Sequence, residues 1–307
     1  MVQENSLKNK ILIICGPTAS SKTALSIECA KLLDSEVISA DSMNIYNGLD
    51  IGTAKPTIEE REGIVHHLID VILPKDTFTV SDYKAIATPI INRIIEKGKI
   101  PIIFGGTGFY INSILYDMSY GNGAGNLEVR EKYQKLAQNE GVMAVYNILK
   151  EVDKVSADKL HPNDVKRVIR ALEIFESGKK KSEIQDDLTP KYDYYAVTND
   201  YPRQQLYNRI DKRVDIMIKQ GLVDEVKNLT TQGLTLDNQC MQGIGYKEIY
   251  SYLKGEISLE ESIELIKINT RHYAKRQITF FKKLENLVYL QPDDPKITAK
   301  RIIEQLW

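Results

Sequence analysis

Cysteine is scarce in this chain of 307 residues. Cys15, Cys29 and Cys240 are its only three, far apart and odd in number, which excludes a disulfide framework or a paired-cysteine zinc site. A reducing, cytoplasmic setting is the expectation. An excess of either charge is also missing. Lysine and arginine number 41 against 42 aspartates and glutamates, a net charge of -1. That excludes a protein that coats DNA by bulk positive charge, so DNA is not an expected partner and any RNA must be met by a local basic surface. No apolar run approaches the roughly 18 residues of a membrane span, and the polar start MVQENSLKNK does not read as a signal for export. Internal repeats and low-complexity tracts are absent, and GKKKSE from Gly178 reads as a charged turn. The length suits one large domain or two ordinary ones, with a well-buried core.

The first third alternates short apolar runs with helical patterns. ILIIC at Ile11 to Cys15 predicts a strand, the Gly/Ser/Thr segment after it a loop, and TALSIECAKLL a helix. Further strands are expected at EVISA before Asp41, at HLIDVIL from His67 to Leu73 and at IPIIF from Ile100 to Phe104, with a helix around Asp82 to Lys97 in which Pro89 marks a kink or the true start. This rhythm predicts an α/β fold with a parallel-sheet core. SYGNGAGN from Ser119 is a turn-rich break, and the following stretch reads as helix to about Lys181. Residues 120-188 are therefore expected to be a helical insertion between core segments 1-119 and 189-307. YDYYAV at Tyr192 to Val197 resumes the strand pattern, and long helices should occupy most of Arg203 to Leu284.

Residues 16 to 23 read G-P-T-A-S-S-K-T, matching the phosphate-loop pattern G-x-x-x-x-G-K-[ST] except that Ser21 stands at the second glycine. Gly16, Pro17, Thr18, Ala19, Ser20 and Ser21 would turn backbone N-H groups toward an anion at a helix N-terminus. Lys22 would add charge, and the Thr23 hydroxyl would reach Mg²⁺. A Cβ at position 21 is unfavourable if the backbone there has positive φ. Kinases, NTPases and transferases all use such loops, so the loop alone leaves the ligand open. Asp41 follows a strand, at the edge where open α/β sheets bind ligands. Arg209 and Arg213, four apart, share a helix face and could both meet a diphosphate.

Together with A-D-S-M-N-I-Y after the second strand, G-P-T-A-S-x-K-T, D-I-G-T-A-K-P (Asp50 to Pro56), H-H-L-I-D (His66 to Asp70) and G-G-T-G-F-Y (Gly105 to Tyr110) resemble the tRNA dimethylallyltransferase family. So do H-P-N-D-x-x-R-x-x-R-A-L-E from His161, R-I-D-x-R-V-D-x-M from Arg209, G-I-G-Y-K-E from Gly243 and T-R-x-x-A-K-R-Q from Thr270. The resemblance covers nearly the whole chain in order and implies a P-loop NTPase-like core. It implies transfer of a dimethylallyl group from dimethylallyl diphosphate to the exocyclic amine of the adenosine 3′ of the anticodon in tRNA, with Mg²⁺ as cofactor. Asp41 then resembles the base that takes the amine proton. Thr107 resembles the family residue at the reacting centre, although its position also suits a helix cap. Lys22 and Arg209 would stabilise the leaving group, and Asp41, Ser42, Met43, Asn44 and Thr107 would meet the adenosine.

The anticodon stem-loop needs a basic surface, and two helices offer one. In the insertion, Val165, Val168, Ile169 and Leu172 have helical apolar spacing while Lys166, Arg167 and Arg170 lie away from them, so Asp164 to Arg170 is a candidate tRNA contact. Near the C-terminus, Ile266, Tyr273, Phe280 and Leu284 form a stripe expected to be core, with Arg271, Lys275 and Lys282 on the opposite side. Four positions depart from the family pattern: Ser21 for glycine, Asn44 where glutamine is usual, Gly243 where alanine is common, and Phe280 where tryptophan is usual. The rivals are an adenylate isopentenyltransferase, a nucleotide kinase or ATPase, and a tRNA-binding homologue weakened by Ser21.

Overall fold

Ile11, Leu12, Ile13 and Ile14 are buried without alternation, the pattern of a strand covered on both faces. They belong to β1 (Lys10–Cys15), inside a sheet whose other strands are β2 (Val37–Ser39), β3 (His66–His67), β4 (Ile102–Gly105), β5 (Asp193–Asn199) and β6 (Val288–Leu290). In the computed structural model, which describes residues 9–118 and 126–306, the order is β3-β2-β4-β1-β5-β6 and every pairing is parallel. The chain divides into two units, Met1–Ile114 with Lys191–Trp307, and Leu115–Pro190.

Helices α1 (Lys22–Leu33), α2 (Val80–Glu96) and α3 (Gly108–Leu115) follow β1, β3 and β4. The second unit holds α4 (Leu127–Glu140), α5 (Val142–Val152), α6 (Lys154–Ala157) and α7 (Val165–Glu176). The first unit resumes after β5 with α8 (Arg203–Lys219), α9 (Leu222–Thr231), α10 (Tyr246–Leu253), α11 (Leu259–Phe281) and, beyond β6, α12 (Pro295–Gln305). In its core, Leu25, Cys29 and Ala30 of α1 and Ala299 and Ile302 of α12 pack with Leu12, Ile14, Val37 and Ile102 of the sheet. The second unit has its own core of Tyr133, Val145, Leu149, Ala157, Val168, Ile169 and Leu172. Most of the turn-rich break at Ser119–Asn126 lies outside the described residues. Its last residue, Asn126, caps α4 by accepting from the N-H groups of Glu128 and Val129.

The expected strand at His67 to Leu73 is corrected to the two-residue β3. Leu68 and Asp70 adopt φ of 62° and 57°, which takes the backbone off the sheet. The N-H groups of Asp70 and Val71 then pair with the carbonyls of Asn44 and Ile45. Pro89 does not start α2 either. That helix opens at a capping box between Thr79 and Asp82, and Pro89 sits on its exposed side, so the Ala85 carbonyl left without an N-H partner is open to water. β6 and α12 were not anticipated from the sequence.

What positions the site is the alignment of strand ends. Register pairs Cys15 with Gly105 and Ser39 with Phe104, so β1, β2 and β4 deliver their following loops side by side. The Ala40 N-H donates to the Phe104 carbonyl at 2.7 Å, and the Thr107 N-H donates to the Ala40 carbonyl at 3.0 Å. A Cβ on Gly105 would lie 2.2 Å from the Ala40 carbonyl oxygen, so only glycine permits this approach.

Candidate functional site

The phosphate loop runs from Gly16 at the end of β1 into α1. Ser21 has φ 61° and ψ 23°, the left-handed conformation for which the motif uses glycine. Its Cβ costs on the order of 1 kcal/mol there. Lys22 donates through Nζ to the Pro17 carbonyl, and the Ser20 hydroxyl donates to the same oxygen. Burial and then the positive charge of Arg213 lower the Lys22 pKa, Asp41 partly opposes them, and the net value is about 8. From α8, Arg209 donates through Nε to the Ala19 carbonyl at 2.8 Å and through Nη2 to the Ser21 hydroxyl at 2.6 Å. Arg213, one turn on, reaches the Thr18 hydroxyl at 3.4 Å. Both arginines, Lys22, Thr23 and the segment Ala54 to Thr57 line an open cavity of 930 Å³. That volume accommodates a small diphosphate ester.

Asp41 and Thr107 do not line this cavity; they meet each other's loops at the strand ends. The Asp41 carboxylate accepts from the Met43 N-H at 2.9 Å, and the Thr107 hydroxyl accepts from the Ser42 N-H at 3.0 Å and lies 3.3 Å from the Ser42 hydroxyl. Thr107 therefore ties the β4 loop to the β2 loop with its side chain, while its carbonyl opens α3. Asp41 raises the pKa of Lys22 and of Arg213, so its charge is felt across the phosphate loop. Asp41, Ser42 and Met43 are half-buried.

Three groups escaped the sequence reading. Gln277 of α11 is buried; its Oε1 accepts from the Thr18 N-H at 2.9 Å and its Nε2 donates to the Gly106 carbonyl at 3.0 Å, clamping the two glycine-containing loops together. Tyr273, one turn earlier, reaches Thr107 and Gln277, and burial with the nearby Asp41 charge raises its pKa to about 12. Glu225 of α9 accepts from the N-H groups of Asp50, Ile51 and Gly52 at 2.9, 2.7 and 3.1 Å and from the Tyr246 hydroxyl at 2.7 Å. It serves as a built-in anion that shapes the D-I-G-T-A-K-P segment. Lys55 of that segment is buried and donates to the Tyr46 carbonyl and to Asp50 and Asp70. Gln277 belongs to the motif T-R-x-x-A-K-R-Q, whose spacing alone assigns it no role, and nothing near Glu225 marks it, because its four donors are distant in sequence.

The model of the family described as IPP transferase matches residues 44–284 of this chain. The chain belongs to the IPP transferase family. A tRNA dimethylallyltransferase of Caldanaerobacter subterraneus subsp. tengcongensis is 50% identical over 293 residues, 94% of this chain and 93% of its own length. Among solved structures, a full-length tRNA isopentenylpyrophosphate transferase from Bacillus halodurans is similar with a TM-score of 0.72 and 40% identity, covering 97% of this chain and 96% of that one. A eukaryotic dimethylallyltransferase described as acting on tRNA has a TM-score of 0.79 at 31% identity, covering 96% of this chain and 78% of its own.

Within this IPP transferase, several expected nucleic-acid contacts are placed differently from the sequence reading. Asn44 is buried, with Oδ1 unpaired, so its side chain is not presented to a base. Arg271 pairs with Asp211 at 2.6 Å and with Glu264 at 3.2 Å, which offsets part of its charge. Arg170 bonds the buried carboxylate of Glu173, which also takes Arg130. Lys166 and Arg167 are exposed, Arg167 beside Asp164 at 3.2 Å, and Lys275 is exposed on α11. The expected apolar stripe holds at Ile266 and Leu284, which are buried, and only in part at Tyr273 and Phe280. Ser262, Ile266, Ala274, Gln277 and Phe281 are the buried positions of α11, and Tyr273 and Phe280 are half-buried. Gln277 lies one turn from both Tyr273 and Phe280, shares their face of the helix, and meets its two backbone partners there. The Phe280 ring packs against Gly108 and makes an edge contact with Phe109 at 5.3 Å.

Proposed function

We propose that this protein transfers the dimethylallyl group of dimethylallyl diphosphate to the N6 amine of the adenosine immediately 3′ of the anticodon in tRNA. The observation that carries this is the electrostatic union of Lys22, Arg213 and Asp41: a cationic phosphate loop and a carboxylate share one set of strand ends. A kinase also pairs a cationic phosphate site with a carboxylate base, so the choice of prenyl transfer rests on the family match and on the relatives named as tRNA dimethylallyltransferases.

In the reaction the allylic C–O bond breaks, the diphosphate departs with the electron pair, and a bond forms from the adenine N6 to the allylic carbon. Lys22, Arg209, Arg213 and the amides of Gly16 to Thr23 stabilise the charge that develops on the leaving oxygens. The N6 lone pair is delocalised into the ring, so removal of its proton by the Asp41 carboxylate assists the step. Thr107 holds the Ser42 backbone beside that carboxylate. The adenosine must leave its stack to reach these groups, among which Asp41, Ser42 and Met43 are half-buried. Lys166, Arg167 and Lys275 supply charge for tRNA phosphates, and a cytoplasmic location follows from the tRNA substrate.

Mg²⁺ fits the donor set. No cluster of three or more His, Cys, Asp or Glu able to cage a metal exists among the described residues, while Thr23, in the first turn of α1, lines the cavity beside Lys22. That is the arrangement for an ion held by one hydroxyl and by substrate phosphates. Bound there, Mg²⁺ would neutralise charge on the diphosphate.

Incubation of unmodified tRNA with dimethylallyl diphosphate and Mg²⁺, followed by nucleoside mass spectrometry, should yield a single prenylated adenosine. Prenylation of free AMP in preference to tRNA would replace this reading with a free-nucleotide enzyme, and ATP turnover without prenyl donor would replace it with an ATPase.

A further inference from the structure

Position 21 is where the phosphate-loop pattern places a glycine, and the serine there holds a left-handed backbone at φ 61°. A serine that only tolerated this strain would leave its hydroxyl to water. Here Ser21 Oγ instead accepts from Arg209 Nη2 at 2.6 Å and stands 3.3 Å from the Tyr201 hydroxyl. Arg209 is then fixed on three sides: by Ser21, by the Ala19 carbonyl at 2.8 Å, and by the Tyr201 ring, whose centroid lies 4.6 Å from the guanidinium carbon. The neighbouring turn is tied down by Asn199, whose side-chain amide donates to the Ser20 carbonyl at 2.8 Å. None of these partners is a carboxylate, and Arg209 and Ser21 both line the cavity. A glycine could not supply the hydroxyl.

We propose that Ser21 is a positioning residue of the donor site: its hydroxyl anchors the Arg209 guanidinium on the phosphate loop and so sets the affinity for the donor's diphosphate. This rests on reading the loop as the diphosphate site. The serine is thus a substitute for glycine with a function of its own, and the strain of its backbone is compensated by the contact it makes.

Alanine and glycine at position 21 separate strain from anchoring, because alanine keeps the strained Cβ and loses the hydroxyl while glycine loses both. Inorganic pyrophosphate with Mg²⁺ is titrated calorimetrically into the full-length wild type, Ser21→Ala, Ser21→Gly, Arg209→Ala and Ser21→Ala combined with Arg209→Ala. Both single Ser21 variants are expected to bind about tenfold more weakly, the size of one lost charge-assisted hydrogen bond, although Ser21→Gly should melt at a higher temperature than Ser21→Ala. The KM for dimethylallyl diphosphate should rise by the same factor, and Ser21→Ala should add nothing once Arg209 is alanine. Pyrophosphate binding by Ser21→Gly as tight as wild type would overturn the proposal, as would a full tenfold effect of Ser21→Ala in the Arg209→Ala background. Wild type that binds pyrophosphate without transferring a prenyl group would defeat the proposed reaction, and the titrations would still decide the role of Ser21.

Discussion

Helices α7 and α8 each carry a pair of arginines, and the two pairs are treated in opposite ways. On α8, Arg209 and Arg213 bond a backbone carbonyl and the hydroxyls of Ser21 and Thr18. On α7, Arg167 pairs with Asp164 and Arg170 with the buried Glu173. Neutral acceptors orient a guanidinium without offsetting its charge, whereas the buried carboxylate of Glu173 offsets that of Arg170 and the more exposed Asp164 offsets that of Arg167 only weakly. The same distinction separates Lys275, exposed on α11, from Arg271 on that helix, whose charge is answered by Asp211 and Glu264. An arginine in a motif is therefore a ligand candidate only once its partners are known.

The strongest way to sharpen the contrast is to remove chemistry while sparing the binding charges. Asp41→Ala should lower kcat by about a hundredfold or more with tRNA affinity unchanged in filter binding, and unchanged turnover would remove Asp41 as the base. Next comes the arginine contrast itself. Arg213→Ala should raise the KM for dimethylallyl diphosphate by about tenfold or more. Arg170→Ala should leave that KM alone and instead lower stability by about 1 to 2 kcal/mol in denaturant unfolding, because Glu173 loses one of its two guanidinium partners. If Arg170→Ala shifted the donor KM and not the unfolding midpoint, the contrast would break.

A further test uses proton binding at the loop. Burial and the nearby Arg213 charge have lowered the Lys22 pKa from 10.5 to about 8, so the charge is present below that pH and is lost as pH rises through it. The donor kcat/KM should therefore fall above pH 8, approaching about tenfold per pH unit, and Lys22→Arg should remove this alkaline limb, since a guanidinium stays charged. The smallest effect is expected on the outer face of α7. Lys166→Ala and Arg167→Ala should each weaken tRNA binding only severalfold and reduce its salt dependence by about 1 in log-log slope. A salt slope that did not change would remove that face from the tRNA contact.

Much of the core could be read from the chain because its signals are local. The apolar run Ile11 to Cys15, the loop from Gly16 to Thr23 and the apolar helix after it each sit within a few residues, and strand, loop and helix formed where expected. β3 was overestimated because HLIDVIL carries a strand's composition while Leu68 and Asp70 adopt left-handed backbone to reach Asn44 and Ile45, a preference set by the neighbouring turn. The α11 stripe holds at Ile266 and Leu284, but its spacing does not show that the same face buries a polar residue, Gln277, for two distant backbone groups. Glu225 illustrates the limit most plainly: an acidic residue in the first turn of a helix is ordinary, and its four partners lie on two other segments.

The order of residues alone was enough to specify a phosphate loop at the end of a buried parallel strand, an acidic residue on the adjacent strand end, and membership of a family through motifs spread along the chain. These depend on backbone conformation and hydrophobic period, which act over short distances. Only the folded chain decided which charges remain available, that Gln277 clamps the two loops, and that the irregular Ser21 holds Arg209. Those outcomes depend on which hydrogen-bonding groups meet once the strands align, and pairing between groups nearly two hundred positions apart leaves no mark in local sequence.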